Sequence, residues 1–140
     1  MAMRTTLFIF FSLMVLQRAQ GQYQLEIKVT GVPSDEGEVA AALYTDADSF
    51  LKFDEVFRST AEKAQKGTIL LTFTEVPQGE YAVAIFHDRN GNGKLDTNWL
   101  GIPKEKVAFS KAKMKTFGPP GFDECRFAIK SDTEIEIEIN

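Results

Sequence analysis

The sequence predicts an all-β protein, an antiparallel β-sandwich of about seven strands. Apolar and polar residues alternate with a period of two in several segments, as in strands that bury one face and solvate the other. Turn segments rich in proline, glycine and aspartate separate these rows at the spacing of a sandwich. The chain has 140 residues, which is room for one domain.

The first segment has the layout of a secretory signal peptide. Residues 1–4 carry a positive charge, residues 7–16 form an apolar core, and Ala19-Gln20-Gly21 places small residues where a signal peptidase cuts. We therefore expect a leader over residues 1–21, a single domain over 22–140, and export to the periplasm or the cell exterior. The apolar run is short for a membrane span, and an uncleaved anchor is the alternative.

Apolar rows with period two follow along the mature chain. They are Leu25, Ile27 and Val29; Val39, Ala41 and Leu43; Ile69, Leu71 and Phe73; Tyr81, Val83 and Ile85; and Ile135, Ile137 and Ile139. Turn signals lie at residues 32–35, 76–79, 91–93 and 118–121. The residues expected inside the sandwich are Leu25, Ile27, Val29, Val39, Leu43, Leu71, Phe73, Val83, Phe127, Ile135 and Ile137.

One segment departs from the strand pattern. Asp48 or Ser49 could cap a short helix in which Phe50, Phe53 and Phe57 recur at i, i+3 and i+7. This stripe is expected to cover one end of the core, with a ligand-binding aromatic patch as the alternative.

The loop after the fourth apolar row carries oxygen-bearing side chains at every second position. Counting Asp88 as position 1, Asn90 is 3, Asn92 is 5, Lys94 offers a carbonyl at 7, and Asp96 is 9. This spacing is typical of a loop that wraps a hard cation such as Ca²⁺, which prefers oxygen ligands. Glu105 could complete the site if the chain turns back at residues 101–103.

An EF-hand is excluded, because position 12 is Trp99 rather than glutamate and the flanks resemble strands. Only two of the loop's side-chain ligands are anionic, and Arg89 and Lys94 lie among them, so any Ca²⁺ affinity should be weak. The alternative is a simple turn, in which Asn and Asp bond backbone amides and glycine supplies positive φ.

The single histidine and the single cysteine are both expected to be structural. His87 shares the inward face with Tyr81, Val83 and Ile85, and its neighbour Asp88 should point to the opposite face. Cys125 alternates with Phe127 and Ile129, which predicts a buried, unpaired thiol in a strand.

The net charge of −4 gives no sign of nucleic-acid binding. A local basic run occurs at Lys104, Lys106, Lys111, Lys113 and Lys115. This run is either a solvated loop face or a weak site for an acidic polymer or a membrane surface.

A family resemblance rests on four blocks of sequence. Residues 84–98, residues 101–105, Phe109-Ser110 and residues 118–122 resemble, in this order, the DUF2141 family of small exported bacterial proteins. The resemblance covers nearly the whole mature chain and implies architecture and location rather than activity. The run Pro77-x-Gly79-x-Tyr81 is also similar to prealbumin-like and carboxypeptidase-regulatory-like sandwich domains. Trp99 belongs to neither pattern, and a binding role for it or for His87 is a speculation.

Two classes of function are compatible with these residues. The first is an exported, non-catalytic module that binds Ca²⁺ through the loop and contacts a cell-surface polymer or protein. The second is a small hydrolase-like enzyme that uses His87 with Asp88 or Glu105. The single histidine and the absence of a paired nucleophile favour the module.

Overall fold

The chain folds into two β-sheets packed face to face, so the predicted all-β sandwich is confirmed. The computed structural model describes residues 21–139, and the predicted leader lies outside them except for Gly21. The strands are β1 (Gln22–Val32), β2 (Glu38–Tyr44), β3 (Arg58–Lys63), β4 (Gly67–Pro77), β5 (Gly79–Asp88), β6 (Val107–Phe109), β7 (Phe127–Ile129) and β8 (Thr133–Glu138).

The first sheet has three strands in the order β4-β1-β8, and the second has the order β3-β2-β5-β6, with β7 also pairing with β5. The strand pairs are antiparallel except for β1 and β8, which run parallel. Ile27 consequently lies between Leu71 of β4 and Ile135 of β8. The first and last strands of the sandwich are therefore direct neighbours.

The main core lies between the inward faces of the two sheets. Nine of the eleven residues predicted for the core are buried there, whereas Phe127 and Ile135 are half-buried and pack against its margin. The alternating rows place these side chains correctly because a pleated strand sends every second residue to the same face.

A second, smaller apolar cluster covers part of the outer face of the larger sheet. It contains Ala82, Phe109, Phe122 and Cys125. Ser110 links strand β5 to the segment that contains Cys125. Its Oγ accepts the Val83 N–H at 2.9 Å and donates to the Cys125 carbonyl at 2.7 Å. Burial, with a smaller effect of the neighbouring Glu124 charge, raises the pKa of the Cys125 thiol to about 11.

The helices differ from the prediction. Cys125 is buried as expected, but it ends a one-turn helix, α1 (Phe122–Cys125), so the predicted strand begins only at Phe127 and its extension to Cys125 is wrong. Near Phe50 the chain forms turns and a 3₁₀ segment, Phe53–Glu55, which has no buried residue. No helix in the part of the chain described here is long and apolar enough to cross a membrane.

The three phenylalanines therefore do not form one stripe. Phe50 packs edge-on against Tyr44 and Phe122, whereas Phe53 packs against Phe86 on the outer face of the larger sheet. Phe57 packs instead against Tyr81, a core residue. The i, i+3 and i+7 spacing therefore does not reflect a helix here, because each phenylalanine packs against a different partner.

Candidate cation site

Asp88 is the last residue of β5 and is only 1% exposed. Its Oδ2 accepts the Gly93 N–H at 2.7 Å, which closes the loop onto the end of the strand. Its Oδ1 is buried and has no hydrogen-bond partner. A buried carboxylate oxygen without a donor is costly, so this atom is suited to a cationic ligand.

Asp96 is held by the two asparagines of the loop. Asn90 donates its side-chain N–H to Asp96 Oδ2 at 2.7 Å, and Asn92 donates to both carboxylate oxygens at 3.0 and 3.2 Å. These hydrogen bonds, first from Asn92 and then from Asn90, lower the pKa of Asp96, and the charge of Lys104 adds to the effect. Asp96 is therefore ionised at neutral pH.

The chain then turns back and brings Glu105 to the loop. Asn98 N–H donates to the Ile102 carbonyl at 2.9 Å, and Lys104 N–H donates to the Asp96 carbonyl at 2.8 Å. Glu105 Oε2 lies 3.4 Å from the Asp96 backbone nitrogen, whose N–H it accepts. Burial, followed by the negative charges of Asp88 and Asp96, raises the pKa of Glu105. The carboxylates of Asp88 and Asp96 are thus near enough to oppose ionisation of Glu105, although no three His, Cys, Asp or Glu side chains in the described part of the chain are grouped to hold a metal ion.

The basic residues of the loop are directed elsewhere. Arg89 forms a two-pronged ion pair with Glu36 Oε2, at 2.7 Å from Nη2 and 3.1 Å from Nε. Lys94 has an exposed side chain and is joined to the loop through its N–H, which donates to Asn92 Oδ1 at 2.9 Å. Arg89 consequently opposes a cation at the acidic cluster less than its position in the sequence suggests.

His87 and Trp99 lie in contrasting environments. His87 is fully buried, and its Nε2 lies 2.6 Å from the Glu36 carbonyl oxygen. Within residues 21–139 no hydrogen bond joins the His87 ring to Asp88 or Glu105, so the residues of the hydrolase hypothesis are not linked. Trp99 lies in the turn of residues 97–103 and is 90% exposed.

Sequence reasoning missed the segment that supports the loop from the side. Strand β2 pairs with β5 so that Glu38 lies opposite Asp88, which brings Glu36 and Gly37 against the loop. Gly37 has φ +70°, and a Cβ built on it would lie 2.0 Å from the Asp88 carbonyl oxygen. A glycine just before a strand was visible in the sequence, but its partner depends on the pairing of two distant segments.

The comparison with known families shows the group to which this chain belongs. A family model described as an uncharacterized protein conserved in bacteria, DUF2141, matches residues 27–137. The chain belongs to this family. The match extends from β1 to β8 and contains the whole loop of residues 88–96, which confirms the resemblance found in the sequence. Searches of curated proteins and of solved structures gave no significant match. Any activity of this DUF2141 domain must therefore be argued from its own residues.

Proposed function

We propose that the protein is an exported, non-catalytic β-sandwich module that binds Ca²⁺ through the loop of residues 88–96 together with Glu105. The observation that carries the proposal is Asp88 Oδ1, a buried carboxylate oxygen with no hydrogen-bond donor, close to two further carboxyl groups. Bringing three carboxylates together costs free energy unless a proton or a cation compensates their charge. A divalent cation would supply that compensation.

The ligands available are those of a hard cation. Carboxylate, amide and carbonyl oxygens favour Ca²⁺ over Zn²⁺ or copper, which prefer nitrogen and sulfur ligands. Among residues 21–139, no three His, Cys, Asp or Glu side chains are arranged to hold a metal ion. The proposed site therefore also requires oxygens from the asparagines and the backbone.

Ion binding would change the roles of the two asparagines. Asn90 and Asn92 direct side-chain N–H groups at Asp96, and their Oδ1 atoms accept backbone N–H groups of Asn92 and Lys94. Rotation of these side chains would present amide oxygens to a cation in place of N–H donors. Because this rearrangement breaks existing hydrogen bonds, we expect modest affinity, on the order of the 10⁻⁴–10⁻³ M of extracellular calcium modules.

The first experiment measures thermal unfolding of chelator-stripped protein with and without Ca²⁺. At about tenfold excess over the dissociation constant, a ligand of the native state stabilises it by about 1.4 kcal/mol. For a domain of this size that is a rise in Tm of roughly 3–6 °C. Mg²⁺ at the same concentration should give a smaller shift, because it keeps its water and demands octahedral geometry.

The matched variants are Asp88→Asn and Asp46→Asn. Asp46 also accepts a backbone N–H in a turn, from Ser49 at 2.8 Å, but it follows β2 at the end remote from the loop. We expect Asp88→Asn to remove the Ca²⁺-induced shift and Asp46→Asn to retain it. An unchanged melting curve of the wild-type protein, or an equal shift in both variants, would contradict the proposal. The loop would then be a simple turn and not a Ca²⁺ site.

Export is tested separately. Strand β1 begins at Gln22, so cleavage after Gly21 would leave the first strand intact. We expect the protein recovered from an expressing bacterium to lack residues 1–21 and to leave the cell with the periplasmic or extracellular fraction. An intact mass that includes the leader, in the cytoplasmic fraction, would contradict this part of the proposal.

A further inference from the structure

An apolar groove lies on the outer face of the larger sheet, beside the cation loop. Its floor is formed by Ala84 and Phe86 of β5 and by Val107 of β6, and its volume is about 770 Å³. One wall is formed by residues 100–103, directly after Trp99, and the other is the segment of residues 114–119. Glu105 lines both this groove and the polar face of the loop, where Glu36, Arg89 and Asp96 lie.

The two walls end in a rim of exposed apolar side chains. Trp99 is 90% exposed, Leu100 61%, Ile102 55%, Met114 43% and Phe117 102%. Five of the eight large apolar residues exposed among residues 21–139 therefore lie in this one segment. A cluster of this kind at a protein surface marks an interaction site rather than ordinary surface composition.

The same segment is strongly basic. Residues 99–117 contain five lysines and one glutamate, although the whole chain has a net charge of −4. Lys115 forms an ion pair with Glu124 at 2.6 Å. The other four lysines, Lys104, Lys106, Lys111 and Lys113, form no ion pair within the described residues. Lys104 acts on the Asp96 carboxylate, so the charges of Lys106, Lys111 and Lys113 are the ones that can attract an anionic partner.

We infer that this rim, residues 99–102 and 114–117, docks onto a membrane surface that contains anionic lipids. Tryptophan and phenylalanine at loop tips suit the interfacial region of a bilayer, and lysines beside them suit lipid phosphates. A protein partner fits less well, because protein–protein interfaces are depleted in lysine. The apolar surface of the rim is continuous with the apolar lining of the groove.

This inference rests on the rim and its lysines and not on Ca²⁺, so the test is done in chelator. Trp99 is the single tryptophan of the chain, and its fluorescence therefore reports directly on the rim. The protein is residues 22–140, because residues 22–139 contain every strand of the sandwich and an attached leader would bind lipid by itself. The probes are vesicles of phosphatidylcholine alone or with roughly one third phosphatidylglycerol.

We expect the protein to sediment with the phosphatidylglycerol vesicles, with a blue shift of Trp99 emission and a loss of binding at high salt. One lysine near an anionic surface contributes about fivefold in affinity. The double variant Lys111→Glu and Lys113→Glu should therefore bind at least roughly 25-fold more weakly. Leu100→Ser with Ile102→Ser should also weaken binding, whereas the controls Leu70→Ser and Lys66→Glu, on and beside strand β4, should not.

Three results would overturn the inference. The first is equal binding to neutral and anionic vesicles, or binding to neither. The second is a blue shift that depends on protein concentration alone, which would assign the rim to a second copy of the chain. The third is a blue shift with monomeric decanoate but no sedimentation with vesicles, which would make the groove a small-ligand site.

Discussion

At Glu105 the two roles considered for the loop have opposite consequences for stability. Its pKa is raised in the folded protein, so folding favours the protonated form. That contribution is fully present below the ordinary value of 4.5 and is lost as the pH rises through the folded pKa. Without a cation, ionised Glu105 therefore opposes folding at neutral pH.

We predict that Glu105→Gln raises the Tm of chelator-stripped protein at pH 7, because it removes the cost of burying a charge and, to a smaller extent, repulsion by Asp88 and Asp96. The gain should vanish near pH 4, where Glu105 is protonated in the wild type. In Ca²⁺ the order should reverse, since the variant lacks one ligand. Melting curves between pH 4 and 7, with and without Ca²⁺, measure this. A variant that is less stable than the wild type in chelator at pH 7 would contradict it.

Asp96 gives the opposite pH dependence of stability, so the contributions of Asp96 and Glu105 can be told apart. Its pKa is lowered, so its contribution is present above the ordinary value of 3.8 and is lost as the pH falls through the folded pKa. A loss of stability below pH 3.8 in both proteins therefore belongs to Asp96 and similar carboxylates, and only the change above pH 4.5 belongs to Glu105.

Part of the candidate site was predictable from these residues, because its main spacing is local. The alternation from Asp88 to Asp96 and the glycine and proline near residue 102 predicted that Glu105 returns to the loop. The ion pair of Arg89 with Glu36 was not predictable, because it joins residues 53 positions apart and depends on strand pairing. The asparagine hydrogen bonds to Asp96 depend on side-chain rotations that spacing does not determine.

Among the elements, the junction of β2 and β5 supports the loop most directly. Gly37 approaches Asp88 so closely that a Cβ would lie 2.0 Å from its carbonyl oxygen, and the residue has φ +70°. We predict that Gly37→Ala destabilises the protein by more than the roughly 1–2 kcal/mol that positive φ alone costs a non-glycine residue. It should also weaken Ca²⁺ binding, because Asp88 must move.

Gly91→Ala is the matched control for backbone strain. Gly91 has φ +65°, and a Cβ there meets nothing within 4 Å. Urea unfolding of both variants in chelator separates the two effects, and Gly91→Ala should lose clearly less stability. Equal losses would mean that the close approach at Gly37 contributes nothing beyond its backbone conformation.

The elements that the sequence predicted well are those with a buried face. Strands β1, β2, β4 and β5 show clean alternation because one face of each lies in the core. Strand β3 (Arg58–Lys63) escaped prediction because it is an edge strand without a buried residue. The one-turn helix α1 is too short to show a helical period. The apolar spacing near Phe50 misled the prediction, because those phenylalanines make separate tertiary contacts.

At the scale of the whole molecule, the last strand contributes a buried residue to the core although it lies at the edge of its sheet. Ile137 of β8 is 3% exposed and lies opposite Val29 of β1. We predict that Ile137→Ala costs about 2–5 kcal/mol, a large part of the roughly 5–15 kcal/mol of a typical domain. The neighbouring Glu136→Ala, on the exposed face, should change stability by less than about 0.5 kcal/mol.

Urea unfolding measures both variants, and the slope of the transition reports whether the unfolding remains two-state. Similar midpoints for Ile137→Ala and Glu136→Ala would show that β8 is only loosely attached. In that case the parallel pairing of β1 and β8 would contribute little to the sandwich.

The adjacency of β1 and β8 also determines when the fold can be completed. Synthesis, and passage through a pore from the N-terminus, both deliver Thr133–Glu138 after every other strand. Until then β1 has a partner on one side only, and the apolar row of Leu25, Ile27 and Val29 is not fully covered. A partly emerged chain therefore cannot reach the native state, because domains of this kind fold as units. The sandwich therefore stays incomplete, and accessible to proteases, until residues Thr133–Glu138 have emerged.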